Sequence, residues 1–287
     1  MKETEQIMLS LKLLCGFNNK EIASALLKED EAVKKAISRA KQKFKTEVGE
    51  LEIPDNASLK ERLQGVLAVI YLLFNSGYTA HSGEQLLKKD VCEDAIRLAG
   101  ILHSYEECNT LELKALISLM CYQLSRFDAR VNSAGEMVIF EKQDRSLWDQ
   151  DLINMGSKFL IESGNGATYC DYQFEAAIAR EYAVSKSFET INWSTILKIY
   201  NVMESRSFNI VHYLNKLVIV SKVEGTKKAY ELLLQLDDKS LKSNYLYFSI
   251  KSNFQKQLGI PEYQDNLKQA IALTDNKLEK EFLKKLQ

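Results

Sequence analysis

The stretch NNKEIASALLKEDEAVKKAISRAKQKFK, Asn18 to Lys45, carries two apolar stripes at helical spacing joined by a short polar turn, and its reading sets the fold class. In the first unit Ile22, Ala25 and Leu26 recur three and four residues apart, which puts their side chains on one face of an α-helix. Asn18 or Asn19 stands before it, with a side-chain oxygen suited to accept from the free N–H groups of the first turn. In the second unit Val33, Ala36, Ile37, Ala40 and Phe44 form the packing face, which leaves Lys34, Lys35, Ser38, Arg39, Lys41, Lys43 and Lys45 mostly outside. Two short helices joined by a tight turn, the second one basic on its outer side, are the outline of a helix-turn-helix that lays one helix in the DNA major groove. A plain solvated helix face in an all-helical protein has the same charge pattern. Glu29, Asp30 and Glu31 suit the positive end of the second helix, yet they would repel phosphate.

The composition of the whole chain agrees with a helical fold. Only two prolines, Pro54 and Pro261, and 12 thinly spread glycines occur in 287 residues, so few breaks interrupt long helices. An apolar fraction of 46% is enough to bury one large core or two smaller ones. The fold class expected is all-α. With 38 basic against 39 acidic residues the net charge is −1, so any affinity for nucleic acid must be local. Five cysteines at wide spacing, Cys15, Cys92, Cys108, Cys121 and Cys170, read as reduced thiols of a cytoplasmic protein. With no C-x-x-C pair and with His81, His103 and His212 each solitary, no metal site is expected. The charged start MKETEQ shows no signal peptide, and the longest apolar run, Val66 to Phe74, is too short for a bilayer. A soluble, cytoplasmic protein without membrane contact is expected.

Along the chain, a helix over Glu5 to Leu14 ends at Gly16 and opens the helix-turn-helix unit of residues 1–49. Residues 50–58, with Pro54, read as a linker. A multi-helix domain is expected over 59–205, starting with the apolar LKERLQGVLAVIYLL and followed by the loop NSGYTAHSG. Helices are predicted over Glu84 to His103, Thr110 to Phe127, Asp149 to Ser163, Asp171 to Lys186, Asn192 to Glu204 and Ile210 to Lys222, with a small hairpin over Ala129 to Phe140. In the last segment, 206–287, Gly225 recurs as Gly259, Leu233 as Leu267 and Leu236 as Ala270, all at the 34-residue tetratricopeptide period. Two such helical hairpins are too few to stand alone and are expected to lean on the helices before them.

Catalytic signatures are missing: there is no G-x-S-x-G, no H-E-x-x-H, no Walker lysine and no dinucleotide glycine motif. SGNGAT, around Gly164 and Gly166, lacks the strand and lysine of a phosphate loop and reads as an interhelical loop. The densest polar cluster, Lys142 to Asp151, offers Asp144, Asp149 and Asp151 as carboxylates; a glycosidase needs two. Helix capping by the aspartates and ion pairing by Arg145 account for it more simply. Trp193, Tyr169, Tyr172, Tyr182, Tyr200, Tyr245 and Tyr247 read as core and groove aromatics. The chain is expected to be no enzyme and to need no cofactor.

Several runs, in order along nearly the whole chain, carry a resemblance to one family. They are MLSLKLLCGFNNKEIASALL (Met8 to Leu27) with SRAKQKF (Ser38 to Phe44), RLQGVLAVIYLLFNSGY (Arg62 to Tyr78) and EDAIRLA (Glu93 to Ala99). EKQDRSLWD (Glu141 to Asp149), DYQFEAAIA (Asp171 to Ala179) and LGIPEYQDNLKQAIAL (Leu258 to Leu273) follow. Together they resemble the extracytoplasmic-function sigma factors of RNA polymerase that bear a tetratricopeptide-like C-terminal extension. The resemblance begins inside region four, so the chain is expected to be the C-terminal part of such a factor, without region two. It implies that Lys34, Lys35, Ser38, Arg39, Lys41 and Lys43 meet the promoter −35 element, the cations on phosphates and Ser38 or Arg39 on base edges. It also implies core RNA polymerase as a partner and a regulatory protein or ligand at the extension. The sequence departs from the family pattern at Ser76, at Ala36 and in the acidic turn Glu29-Asp30-Glu31. A helical protein-interaction scaffold without DNA binding is the alternative.

Overall fold

The structure, a computed structural model, describes residues 1–26, 28–47, 55–78, 88–133, 136–236, 241, 244–274 and 277–286. Among them the regular elements are α-helices and short 3-10 turns, with no strand, so the all-α expectation is met. The helices are α1 (Glu3–Leu13), α2 (Asn19–Ala25), α3 (Asp30–Glu47), α4 (Asn56–Tyr78), α5 (Lys89–His103), α6 (Leu111–Ser125) and α7 (Gln150–Ser163). They continue as α8 (Asp171–Val184), α9 (Trp193–Arg206), α10 (Ile210–Val223), α11 (Thr226–Leu234), α12 (Tyr245–Gln257), α13 (Tyr263–Leu273) and α14 (Lys277–Lys284). No described helix is long and apolar enough to cross a membrane.

The chain divides into two units, Met1–Leu124 with Met155–Ala167, and Ser125–Asn154 with Thr168–Gln287. In the first, Met8, Leu11, Phe17, Ile22, Ala23, Val33 and Ile37 close a core around α1, α2 and α3. Val69, Leu72 and Leu73 of α4 pack on that same core, so the helix-turn-helix residues share one unit with α4. The expected linker lies mostly outside the described residues. On α4's far flank, Gly77 allows a close approach to α5: the Lys88 N–H donates to the Gly77 carbonyl at 2.9 Å. The segment from Asn75, expected to be loop, is helical to Tyr78. The remainder of that loop, and the predicted helix start at Glu84, fall outside the described residues. Further along, Ser118 Oγ donates to the Gly156 carbonyl (2.7 Å) and Tyr122 OH to Ser157 Oγ (2.9 Å) between α6 and α7.

In the second unit a continuous apolar core runs from Ile178 on α8 through Ile196 and Met203 on α9, Leu214 and Leu217 on α10, Ala229 and Leu233 on α11, to Ile250 and Phe254 on α12. The helices on either side of the division expected after residue 205, α9 and α10, pack together within it. α10 with α11, and α12 with α13, form two helical hairpins. Gly225 (φ 96°) precedes α11 and Gly259 (φ 71°) precedes α13, both in the left-handed region that favours glycine. Within the second hairpin Ser252 Oγ donates to the Tyr263 carbonyl (2.8 Å) and the Asn266 amide to Gln255 Oε1 (2.8 Å), while Gln255 Nε2 donates to Tyr230 OH (3.1 Å) and ties it to the first hairpin. The small hairpin expected over Ala129 to Phe140 reduces to a single antiparallel bridge, Val131 with Met137. The Asn132 side chain accepts the Glu136 N–H at 2.9 Å and serves the backbone where a longer ladder would.

Adding a methyl at Gly77 would put its carbon 2.6 Å from the Lys88 carbonyl oxygen and 2.9 Å from Cys92 Sγ. Because the nearer atom is backbone, Gly77→Ala is expected to cost about 1–3 kcal/mol of stability, read as a lower urea midpoint by circular dichroism.

Candidate nucleic-acid interface

The three N-terminal helices position one charged surface. α2 is short and depends on its ends: Asn18 Oδ1 accepts the Glu21 N–H at 2.9 Å while Glu21 Oε2 accepts the Asn18 N–H at 2.7 Å, a reciprocal capping box. Of the two candidate caps it is Asn18 that acts. The chain then turns, with the Lys28 N–H donating to the Ala23 carbonyl (2.8 Å), and α3 starts at Asp30. Asp30 and Glu31 occupy its first turn, where the free N–H groups favour negative charge.

Val33, Ile37 and Ala40 are buried on α3's inner side, and Lys34, Lys35, Ser38, Arg39, Lys41 and Lys43 are all exposed on the outside. The structure therefore brings the six expected residues together on one helix, facing solvent. Lys34 pairs with Glu31 at 3.5 Å with both side chains largely exposed, a contact worth only tenths of a kcal/mol. Among the described residues no ion pair is formed by Lys35, Arg39, Lys41 or Lys43. Lys35, Arg39 and Lys43 are four residues apart in sequence and so stand in one column along the helix, where like charges destabilise it by about 0.2–0.5 kcal/mol per adjacent pair.

The polar cluster weighed as a carboxylate pair has another role. Asp149 Oδ1 caps the Leu152 N–H (2.9 Å) at the start of α7. Asp144 accepts from Ser146 N–H (2.9 Å) and Oγ (2.7 Å), bonds that hold its carboxyl below the usual range. Arg145, expected as an ion-pair partner, instead donates from Nη1 to the carbonyls of Tyr182 (3.0 Å) and Ser185 (2.6 Å). These sit at the C-terminal end of α8, where unpaired carbonyls attract a cation. The guanidinium also lies 4.3 Å over Trp148, and Arg126, which the sequence reading missed, lies 4.7 Å over Phe140. Burial and the neighbouring Arg126 charge both lower the pKa of Arg145. Arg126 belongs to none of the quoted runs, and its ring partner Phe140, 14 residues on, gives no local signal for it; Arg145 lies within EKQDRSLWD, three residues before its ring partner Trp148. Phe140, Tyr182, Phe188 and Trp193 complete the aromatic cluster with ring centroids 5.1–6.1 Å apart.

Residues 62–164 match a family of unknown function, DUF6596, a span from the first turns of α4 to just beyond α7. An uncharacterised protein of Rhizobium meliloti (strain 1021) is 32% identical over 282 residues, covering 98% of this chain and 66% of that protein. The chain thus spans just under two thirds of its relative's length. No solved structure matches it.

Two expectations follow from the second unit. Arg145→Met leaves two helix-end carbonyls without their donor and is expected to lower stability by about 1.5–3 kcal/mol, seen as earlier loss of tryptophan fluorescence in urea. Burial raises Tyr182 and Tyr172 from 10.0 to about 12, and raises Tyr200 further. Unfolded chains lose these phenolic protons at the lower pH and folded ones at the higher, so stability falls as pH rises across that window. Tyrosinate absorbance and loss of helical circular dichroism are expected to rise together there; full ionisation of these tyrosines in a still-helical chain would contradict it.

Proposed function

We propose that this chain is the C-terminal part of an extracytoplasmic-function RNA polymerase sigma factor, working in the cytoplasm in transcription initiation. α3 is its promoter-reading helix, and the helices from α4 onward form the regulatory extension. The observation that carries this reading is the outer face of α3. Its cations face solvent together, and the column Lys35, Arg39, Lys43 has no counter-charge between its members. A phosphate backbone supplies that counter-charge, and the lysines and Arg39 release counterions on meeting it. Ser38 and Arg39, mid-helix, are suited to base edges. Core RNA polymerase and a regulatory protein or ligand at the extension are the further partners this reading entails. No catalytic step is assigned.

A second reading is supported by a separate observation. The paired hairpins turning at Gly225 and Gly259 are the repeat geometry of scaffolds that bind other proteins, and that role needs no DNA contact.

Binding of the full chain to duplex DNA, followed by fluorescence anisotropy, separates the two. Binding is expected to weaken steeply with salt, and Lys34→Glu with Arg39→Glu to weaken it and flatten the log–log salt slope by about two. Reversing Lys227 and Lys228 on α11 is expected to change little. Salt-insensitive binding, or none to any duplex, would exclude the sigma-factor reading of α3 and leave the scaffold.

A further inference from the structure

A cavity of about 690 Å3 lies inside the first unit, walled by α1, α4 and α5. It is within the size of sites that hold small molecules. Its character changes along its length. The wall of α1 begins with Glu3 and Gln6 and ends with Leu14, and that of α4 begins with Arg62 and ends with Leu73. Glu3 Oε1 comes within 3.5 Å of where a Cβ on Gly65 would stand, so the two polar ends coincide. Asp94 and Arg97 pair with each other on the α5 wall, Ser10 and Cys15 add two small polar groups, and the remaining lining is aliphatic, including Val66, Val69, Leu98 and Ile101, with no aromatic ring. Leu14 is 82% exposed, Ile101 47% and Val66 40%. Protein interiors are filled to crystal density, and aliphatic walls facing an unfilled space forgo the dispersion contacts they would otherwise make.

The charges at the mouth narrow the occupant. Arg97 is satisfied by Asp94 at 2.9 Å, whereas Arg62, with Glu3 in the same lining and its charge felt by Asp55, forms no ion pair among the described residues, and the Gln6 side-chain amide donates to the Met1 carbonyl at 3.2 Å. From Glu3 to Leu14 the helix rises about 16 Å, the length of an extended medium-chain acid. We propose that this cavity binds the aliphatic tail of a medium-chain carboxylic acid, with the carboxylate at Arg62 and the Gln6 amide as second donor. Such a ligand lies against α1, whose opposite side carries Met8 and Leu11 into the core that holds α3.

Calorimetric titration of the full chain with dodecanoate below its micelle concentration tests this, and it needs no DNA, so its failure leaves the reading of α3 untouched. Saturable one-to-one binding is expected. Val66→Trp, which fills the cavity from a position already part-exposed, is expected to weaken it about tenfold or more, and Ile101→Trp does the same from α5. Arg62→Gln, a surface change that spares the fold, is expected to weaken dodecanoate severalfold and leave dodecan-1-ol unchanged. The absence of saturable binding by the unaltered chain would overturn the proposal. So would undiminished binding in folded tryptophan variants, equal affinity for dodecanoate in Arg62→Gln, or a dimer by light scattering that Val66→Trp converts to monomer.

Discussion

Most of these helices are no longer than the twelve to fifteen or so residues at which a helix begins to persist alone in water, so each depends on a neighbour that covers its apolar stripe. α2, with 7 residues, is the extreme case. It holds one turn at its start through the Asn18–Glu21 box and buries Ile22 completely in the shared core. The same dependence explains why α4 takes part in two packings at once. Its Val69, Leu72 and Leu73 complete the core of the helix-turn-helix residues, and its last turn, at Gly77, closes against the start of α5. The three N-terminal helices that carry the candidate interface are thus supported by a helix that the sequence pattern assigns to the next domain.

What the sequence made legible was local. Periodicity located the helices to within a few residues, the asparagines at 18 and 19 marked the start of α2 without choosing between them, and the glycines 34 residues apart marked the two late turns. The two-faced character of α3 was also plain, because burial and charge there depend on positions three and four apart. What was not legible depends on contacts between distant residues. Nothing near Arg145 says that its guanidinium will reach carbonyls 37 and 40 residues away; the neighbouring aspartates suggested an ion pair. Asn75 to Tyr78 looked like loop because Gly77 is a poor helix former, yet a missing side chain is what lets Lys88 approach. The cavity beside α1 was hidden for a related reason: an apolar stripe such as that of α4 reads as buried whether its neighbours fill the space or leave it open.

Electrostatics decide how far the face of α3 can be taken as an interface. The helix dipole alone favours acids in the first turn and bases in the last, by about 0.3–1 kcal/mol each, and Asp30, Glu31 and Lys45 satisfy that preference. It does not account for Lys34, Lys35, Arg39, Lys41 and Lys43, which lie in the middle turns. A helix tuned only for its own stability would place acids four residues from these cations. α3 does so only near its ends, with Asp30 before Lys34, Glu31 before Lys35 and Glu47 after Lys43, and leaves Arg39 between two like charges. The repulsion is small, yet it recurs along one exposed line in a chain whose net charge is only −1. A concentrated positive line on a nearly neutral molecule supports an anionic polymer as the partner more than a general attraction to negative surfaces. Under the proposed DNA contact the acidic first turn would act as a local restraint, weakening contact at the start of α3 and shifting its centre toward Arg39 and Lys43.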